Sequence, residues 1–277
     1  MVTIRDYPLQ EVQAARSVLL ELAHLLGQFR NDVVLVGGWV PEILFPASEL
    51  VHVGSLDIDL ALNHRTLHDA GYRTIHELLL ERGYTQQTDG QPFQYFRKIP
   101  TPDGHEIIVQ VDFLAGEYDG RGRRHRHQRV AGMQPRKARA CDLAFAAATE
   151  ITIEGVLPGG GRDSVTLRVT DVATFIIMKG MALDDRLKEK DAWDIYFCLR
   201  SYPGGTAALA ELFKPLLKNG LVREGLAKIA DKFASLDSYG PVAVANFEET
   251  LDSEERSIRQ RDAFERAQDL LQRLGPP

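Results

Sequence analysis

The stretch Gly54-Ser55-Leu56-Asp57-Ile58-Asp59-Leu60-Ala61-Leu62 decides how the rest of the chain is read. Leu56, Ile58, Leu60 and Leu62 alternate with Asp57, Asp59 and Ala61, which is the period of a β-strand. One face is aliphatic and the other carries both carboxylates. Aspartate is depleted in strands, and like charges on one face repel. A shared divalent cation removes that repulsion. Oxygen ligands suit Mg²⁺, which takes one or two carboxylates and leaves other positions to substrate phosphates.

A third carboxylate follows the same rule. In Ile107-Ile108-Val109-Gln110-Val111-Asp112-Phe113-Leu114, the residues Ile108, Gln110 and Asp112 share one face. Val109, Val111 and Phe113 share the other, so Asp112 also points away from an apolar set. Should this strand neighbour the first, three carboxylates converge, and two metals about 3.5–4 Å apart can flank an in-line phosphoryl displacement. Upstream, Val33-Val34-Leu35-Val36 runs into Gly37-Gly38 and then Trp39 to Leu44, a strand, a glycine pair and a short helix. Glycines there allow backbone amides to approach a phosphate closely, and a helix N-terminus favours anions. Either feature alone is common, since strand carboxylates usually face solvent and Gly-Gly is usually a turn. Their succession is far more specific.

Around this centre the chain reads as α+β. Apolar residues from Leu9 to Phe29 recur at helical spacing, and a second helix spans Thr66 to Gly83. Phe93–Ile99 and His105–Leu114 are strands across a turn-forming segment, as are Glu150–Val156 and Ser164–Val169. Beyond Asp171 the pattern is helical to Leu274. The expected architecture is a mixed β-sheet domain with flanking helices, residues 1–170, followed by a helical C-terminal domain, residues 171–277.

The 277 residues carry a formal charge of −6, which excludes a protein that coats nucleic acid generally. Local basic regions are another matter. Arg121, Arg123, Arg124, Arg126, Arg129, Arg136, Lys137 and Arg139 occur with no acidic residue among them. Such a run is either a solvated loop or a track for a phosphate backbone, which gives affinity without sequence specificity. His125 and His127 lie within it without further metal ligands, and His52 reads as an ordinary loop histidine. Cys141 and Cys198 form neither a disulfide framework nor a C-x-x-C pattern, as suits a reducing compartment. No apolar run approaches the ~20 residues that span a bilayer, and the N-terminus has no signal-peptide pattern. The expected setting is cytoplasmic, with no membrane partner.

The C-terminal half holds one more anomaly. Lys179 interrupts Phe175-Ile176-Ile177-Met178 and Gly180-Met181-Ala182-Leu183, and an unpaired ammonium is expensive to bury. It is either snorkelling, paired with Asp184 or Asp185, or a point charge for nucleotide phosphates. Asp191 and Asp194 follow at i, i+3 on one helical face, where helix-end stabilisation with solvation is the plain alternative.

Together, Gly37-Gly38, Asp57-x-Asp59, Asp112, Lys179 and the basic-Asp-x-x-Asp run Lys190 to Asp194 resemble the DNA polymerase β-type nucleotidyltransferase superfamily, and more closely its AbiEii/AbiGii toxin-like members. The resemblance covers roughly residues 33 to 200. It implies Mg²⁺ on Asp57, Asp59 and Asp112, and a triphosphate positioned by Gly37, Gly38 and Lys179. It also implies an activity-linked role for Asp191, with Asp194 orienting Lys179 or Arg186. Trp39-Val40 stand where the family often has a hydroxyl residue, which leaves Ser55 as the hydroxyl candidate. The implied reaction moves an NMP from an NTP to an acceptor hydroxyl on tRNA, other RNA or protein, with an antitoxin as the implied partner. Two rivals remain open: adenylylation of a small aminoglycoside-like compound, and a catalytically silent module that binds nucleotide or a partner.

Overall fold

The computed structural model describes residues 1–88, 90–101, 103–117 and 132–275. Its elements run α1 (Leu9–Leu25), β1 (Val33–Val36), α2 (Val40–Leu44), β2 (Asp57–Leu62), α3 (Asp69–Glu81), β3 (Gln94–Pro100), β4 (Glu106–Ala115), β5 (Arg136–Lys137), β6 (Thr149–Val156) and β7 (Arg162–Val169). Then come α4 (Val172–Arg186), α5 (Glu189–Ser201), α6 (Gly205–Phe213), α7 (Gly220–Lys232), α8 (Tyr239–Phe247) and α9 (Ser253–Leu274). The chain forms two compact units. One holds Pro8–Val40 and Gly54–Asp171; the other holds Met1–Tyr7, Pro41–Val53 and Val172–Pro277.

The first unit is built on a mixed sheet of order β3-β4-β2-β1-β7-β6, with β5 added beside β4. β2 runs antiparallel to β1 and parallel to β4, while β3–β4 and β6–β7 are antiparallel pairs. The alternation in β2 and β4 has the expected consequence. Ile58, Leu60, Val109, Val111 and Phe113 are almost wholly buried, and helix α1 packs over this side through Leu19 and Leu22. Helix α1 also carries a buried carboxylate, Glu21, which is neutralised rather than exposed. Arg82 Nε and Arg97 Nε each donate to it at 2.9 Å, and the Tyr84 hydroxyl donates at 3.0 Å. Those three donors tie α1 to β3 and to the segment after α3.

The second unit is helical. Helices α4 and α7 cross at glycine: a Cβ on Gly180 would lie 2.8 Å from the Gly225 carbonyl oxygen. Such backbone-to-backbone approach needs a residue with no side chain. Trp193, Phe197 and Phe247 form an aromatic core joined by Phe45 and His52 from the Pro41–Val53 segment. Helix α9 starts at a capping aspartate, Asp252, which accepts from the amides of Glu254 and Glu255. Among the described residues no helix is long and apolar enough to cross a membrane.

Candidate active site

The parallel register of β2 and β4 sets Asp59 beside Asp112 and Asp57 beside Gln110. On β4's other side, Gln94 of β3 is the partner of Asp112. Paired residues on neighbouring strands point to the same side of a sheet. The polar face therefore carries Asp57, Asp59, Asp112, Gln94 and Gln110 together, opposite the aliphatic face under α1.

The turn after β1 is shaped around one of these carboxylates. Gly37 takes φ +72°, and a Cβ placed there would fall 2.0 Å from Asp59 Oδ2. Gly37 is thus required twice, by its dihedral and by the carboxylate it admits. Gly38 is buried in the same short turn, Gly37–Trp39. Helix α2 spans only Val40–Leu44, so its dipole adds little to anion binding. The turn's own amides are what remain for a phosphate.

Two side-chain donors hold the outer carboxylates. Ser55 Oγ donates to Asp57 Oδ1 at 2.5 Å, and Gln110 Nε2 donates to Asp112 Oδ1 at 2.9 Å. Burial raises the Asp112 carboxyl above the usual range and the charge of Asp57 adds to this, while Gln110, Arg136 and Gln94 oppose it. Arg136 also stacks over the Phe93 ring at 5.4 Å. Cys141 is buried, with Asp142 and Asp59 as charged neighbours. Its thiol is pushed up by burial first and by those charges second, which makes it unreactive.

The donor set on this face, carboxylate and amide oxygens, matches a hard divalent cation. The side chains as they stand do not form a closed cage. Among the described residues, no three His, Cys, Asp or Glu side chains are gathered into a metal-holding group. Asp57 is engaged by Ser55, Asp112 by Gln110, and Asp59 lies against Gly37. Mg²⁺ asks for one or two carboxylates from the protein, so Asp57, Asp59 and Asp112 are sufficient in kind and number.

Lys179, Asp191 and Asp194 form a second cluster, in the helical unit. Lys179 is 7% exposed, and its Nζ lies 2.7 Å from both Asp191 Oδ1 and Asp194 Oδ2. Neither Asp184 nor Asp185 is its counter-ion. Asp184 pairs with Lys228 and Lys232 of α7. Arg186 closes on Asp191 through Nε and Nη2, at 2.7 and 2.8 Å. Burial disfavours the Lys179 ammonium, but Asp191 and Asp194 outweigh it and hold its pKa above the ordinary value. Burial likewise disfavours both carboxylates. Lys179 is the chief reason each stays below the usual range, helped by Arg186 at Asp191 and Lys190 at Asp194. These aspartates are buried, so solvation at a helix start does not account for them.

Two further side chains join this cluster. Lys190 Nζ lies 2.8 Å from Asp194 Oδ1, and His52 Nε2 lies 3.0 Å from the same oxygen. His52 is therefore a buried partner rather than an ordinary loop histidine. Lys190 was visible as the basic residue before Asp191, but nothing in the sequence pairs His52 with a residue 142 positions away. The basic run from Arg121 to Arg129, with His125 and His127, lies outside the described residues. Of its remainder, Arg136 stands near Asp112 and Arg139 pairs with Glu117 at 3.2 Å.

The model of one family, described as the nucleotidyl transferase AbiEii toxin of a type IV toxin–antitoxin system, matches residues 25–276. The chain belongs to the AbiEii family. It is accordingly a nucleotidyltransferase, and the match extends past the motifs and past the end of α9. Among solved structures, the chain is similar to an antigenic nucleotidyltransferase-like protein from Paracoccidioides brasiliensis. Identity is 17% and the TM-score 0.44, with 82% of this chain and 92% of the other covered. It is also similar to MenT4, a nucleotidyltransferase toxin from Mycobacterium tuberculosis, with 17% identity, TM-score 0.41, and coverage of 94% and 86%. No curated protein matches significantly.

Proposed function

We propose that this AbiEii protein is a Mg²⁺-dependent toxin that transfers an NMP from an NTP to an acceptor hydroxyl, RNA or protein being the favoured acceptor. The observation that carries the reading is the pairing of Asp59 with Asp112, next to a glycine turn that leaves room for the Asp59 carboxylate. Asp57, Asp59 and Asp112 would hold the cation, which supplies charge neutralisation at the α-phosphate and the leaving pyrophosphate.

The chain's own groups do the remainder. The amides of Gly37 and Gly38 approach the triphosphate, and Ser55 fixes the orientation of Asp57. Asp112, with a raised proton affinity, accepts the proton of the attacking hydroxyl. The acceptor oxygen bonds to the α-phosphorus as the bond to the bridging oxygen breaks, and pyrophosphate departs. Lys179 is assigned to the triphosphate charge on the family pattern, with Asp191 and Asp194 fixing its position. Arg136, an exposed guanidinium beside Asp112, suits a phosphate-bearing acceptor better than a cationic small molecule. A cytoplasmic setting and an antitoxin partner complete the reading.

The test is transfer of label from each α-³²P NTP, with Mg²⁺, to total tRNA, to protein extract and to small-molecule extract. Label in the RNA or protein fraction supports the reading. Equal transfer by the wild type and Asp57→Ala would overturn the site.

A further inference from the structure

In the helical unit, Asp194 is a hub on which three nitrogen-bearing side chains converge. His52 Nε2 and Lys190 Nζ approach Oδ1 at 3.0 and 2.8 Å, and Lys179 Nζ approaches Oδ2 at 2.7 Å. Two of the three are lysines, flexible point charges that follow a carboxylate wherever it turns. The third is a rigid ring. His52 packs against Trp193, at 5.0 Å between ring centroids, and Phe197, at 4.8 Å. Both belong to α5, the helix that carries Asp191 and Asp194.

The protonation of His52 follows from its surroundings. Burial first, and the Lys190 charge second, bring its pKa down to about 4, so the ring is neutral at physiological pH. Asp194 is ionised, held well below the usual carboxylate range against burial by Lys179 and Lys190. An ionised carboxylate can only accept, so the single ring proton sits on Nε2 and His52 donates to Asp194 Oδ1.

We propose that His52 is a positioning residue for Lys179: its Nε2–H sets the rotation of the Asp194 carboxylate, and that carboxylate, with Asp191, aims the Lys179 ammonium. The inference rests on the assignment of Lys179 to the NTP triphosphate. Without the ring, Oδ1 keeps only Lys190, and the carboxylate can rotate to share both oxygens between the two lysines. Lys179 then loses its fixed position while remaining buried and charged. His52 touches no reacting atom in this scheme.

The nitrogen position separates this role from simple packing. In His52→Gln the amide nitrogen stands where Nε2 stood; in His52→Asn it stands nearer Nδ1 and falls short of Asp194. His52→Leu keeps an apolar filler with no donor. Kinetics of NMP transfer under saturating acceptor should show the KM for NTP raised about tenfold in the Leu and Asn variants, the scale of one hydrogen bond to a charged group. The Gln variant should stay within about twofold of wild type, and the KM for acceptor should not move in any variant. Equal KM values for NTP in the Gln and Asn variants would overturn the proposal. So would a parallel loss in all three that tracks their melting temperatures. Asp57→Ala and Lys179→Met, run alongside, separate the levels: full activity in Asp57→Ala overturns the site assignment, an unchanged KM for NTP in Lys179→Met overturns the assignment of Lys179 to the triphosphate, and a raised KM there together with an unchanged KM in His52→Leu overturns only the role of His52.

Discussion

At Gly37 the backbone needs a positive φ, and the space a side chain would fill is already taken by Asp59 Oδ2. Gly37→Ala should cost about 1–2 kcal/mol of stability from the dihedral alone. It should cost transfer activity about 100-fold, because the Asp59 carboxylate must move by an ångström or more. Chemical denaturation and turnover measured on the same sample check both. His52 makes a different prediction. Its pKa is about 4 in the fold against an ordinary 6.5, so between those values the unfolded chain binds more protons. The contribution of the neutral ring is complete above pH 6.5 and drains away as pH falls towards 4. His52→Gln should flatten that part of the stability–pH curve measured by denaturation at fixed pH steps. The residues of the proposed site differ in how readable they are. Asp112 was legible because strand parity is local, and its register with Asp59 needed only that the two strands be neighbours. Asp194 was legible as a motif member, yet its pairing with His52 depends on a contact across 142 positions, with no periodicity to mark it.

Helix α1 and the crossing of α4 with α7 show how elements are held. Removing Glu21 leaves the buried Tyr84 hydroxyl and the half-covered Arg97 without their acceptor. Glu21→Ala should therefore destabilise the protein by about 2 kcal/mol, the scale of buried groups left unsatisfied. Gly180→Ala forces a methyl against the Gly225 carbonyl at 2.8 Å and should cost about 1–3 kcal/mol by overpacking. Thermal melts of both variants, with transfer assays at a temperature where each is folded, check these values. At this scale the alternation of β2 and β4 and the helical periodicity of α1 and α3 were legible, since each pattern repeats along its own element. The addition of β7 alongside β1 was not, because its register amounts to Leu35 with Val169 and leaves no trace in either strand alone. Helix α2 is a milder lesson: its residues signalled a helix, but its five-residue length removes most of the dipole that was expected to favour phosphate.

For the molecule as a whole, family membership over residues 25–276 makes the chain a nucleotidyltransferase, and the pairing of Asp59 with Asp112 is the geometry proposed to carry that chemistry. Composition marks a change from sheet to helices near residue 170. It does not record that Met1–Tyr7 and Pro41–Val53 group with the helices, because that depends on contacts made by short segments with no pattern of their own. If the protein acts as a toxin, induced expression of the full chain in a bacterial host should arrest growth, and Asp57→Ala should restore it; growth curves with matched protein levels decide this. The central claim is that the paired aspartates carry nucleotidyl transfer. Its most direct test is the rate of pyrophosphate release from NTP with Mg²⁺ and total tRNA or protein, compared among the wild type, Asp59→Asn and Asp112→Asn. Both variants keep the side-chain shape and lose the charge. Release should fall about 100- to 1,000-fold in each, the scale of a lost electrostatic contact in the transition state. Wild-type release in either variant, with the fold intact, would contradict it.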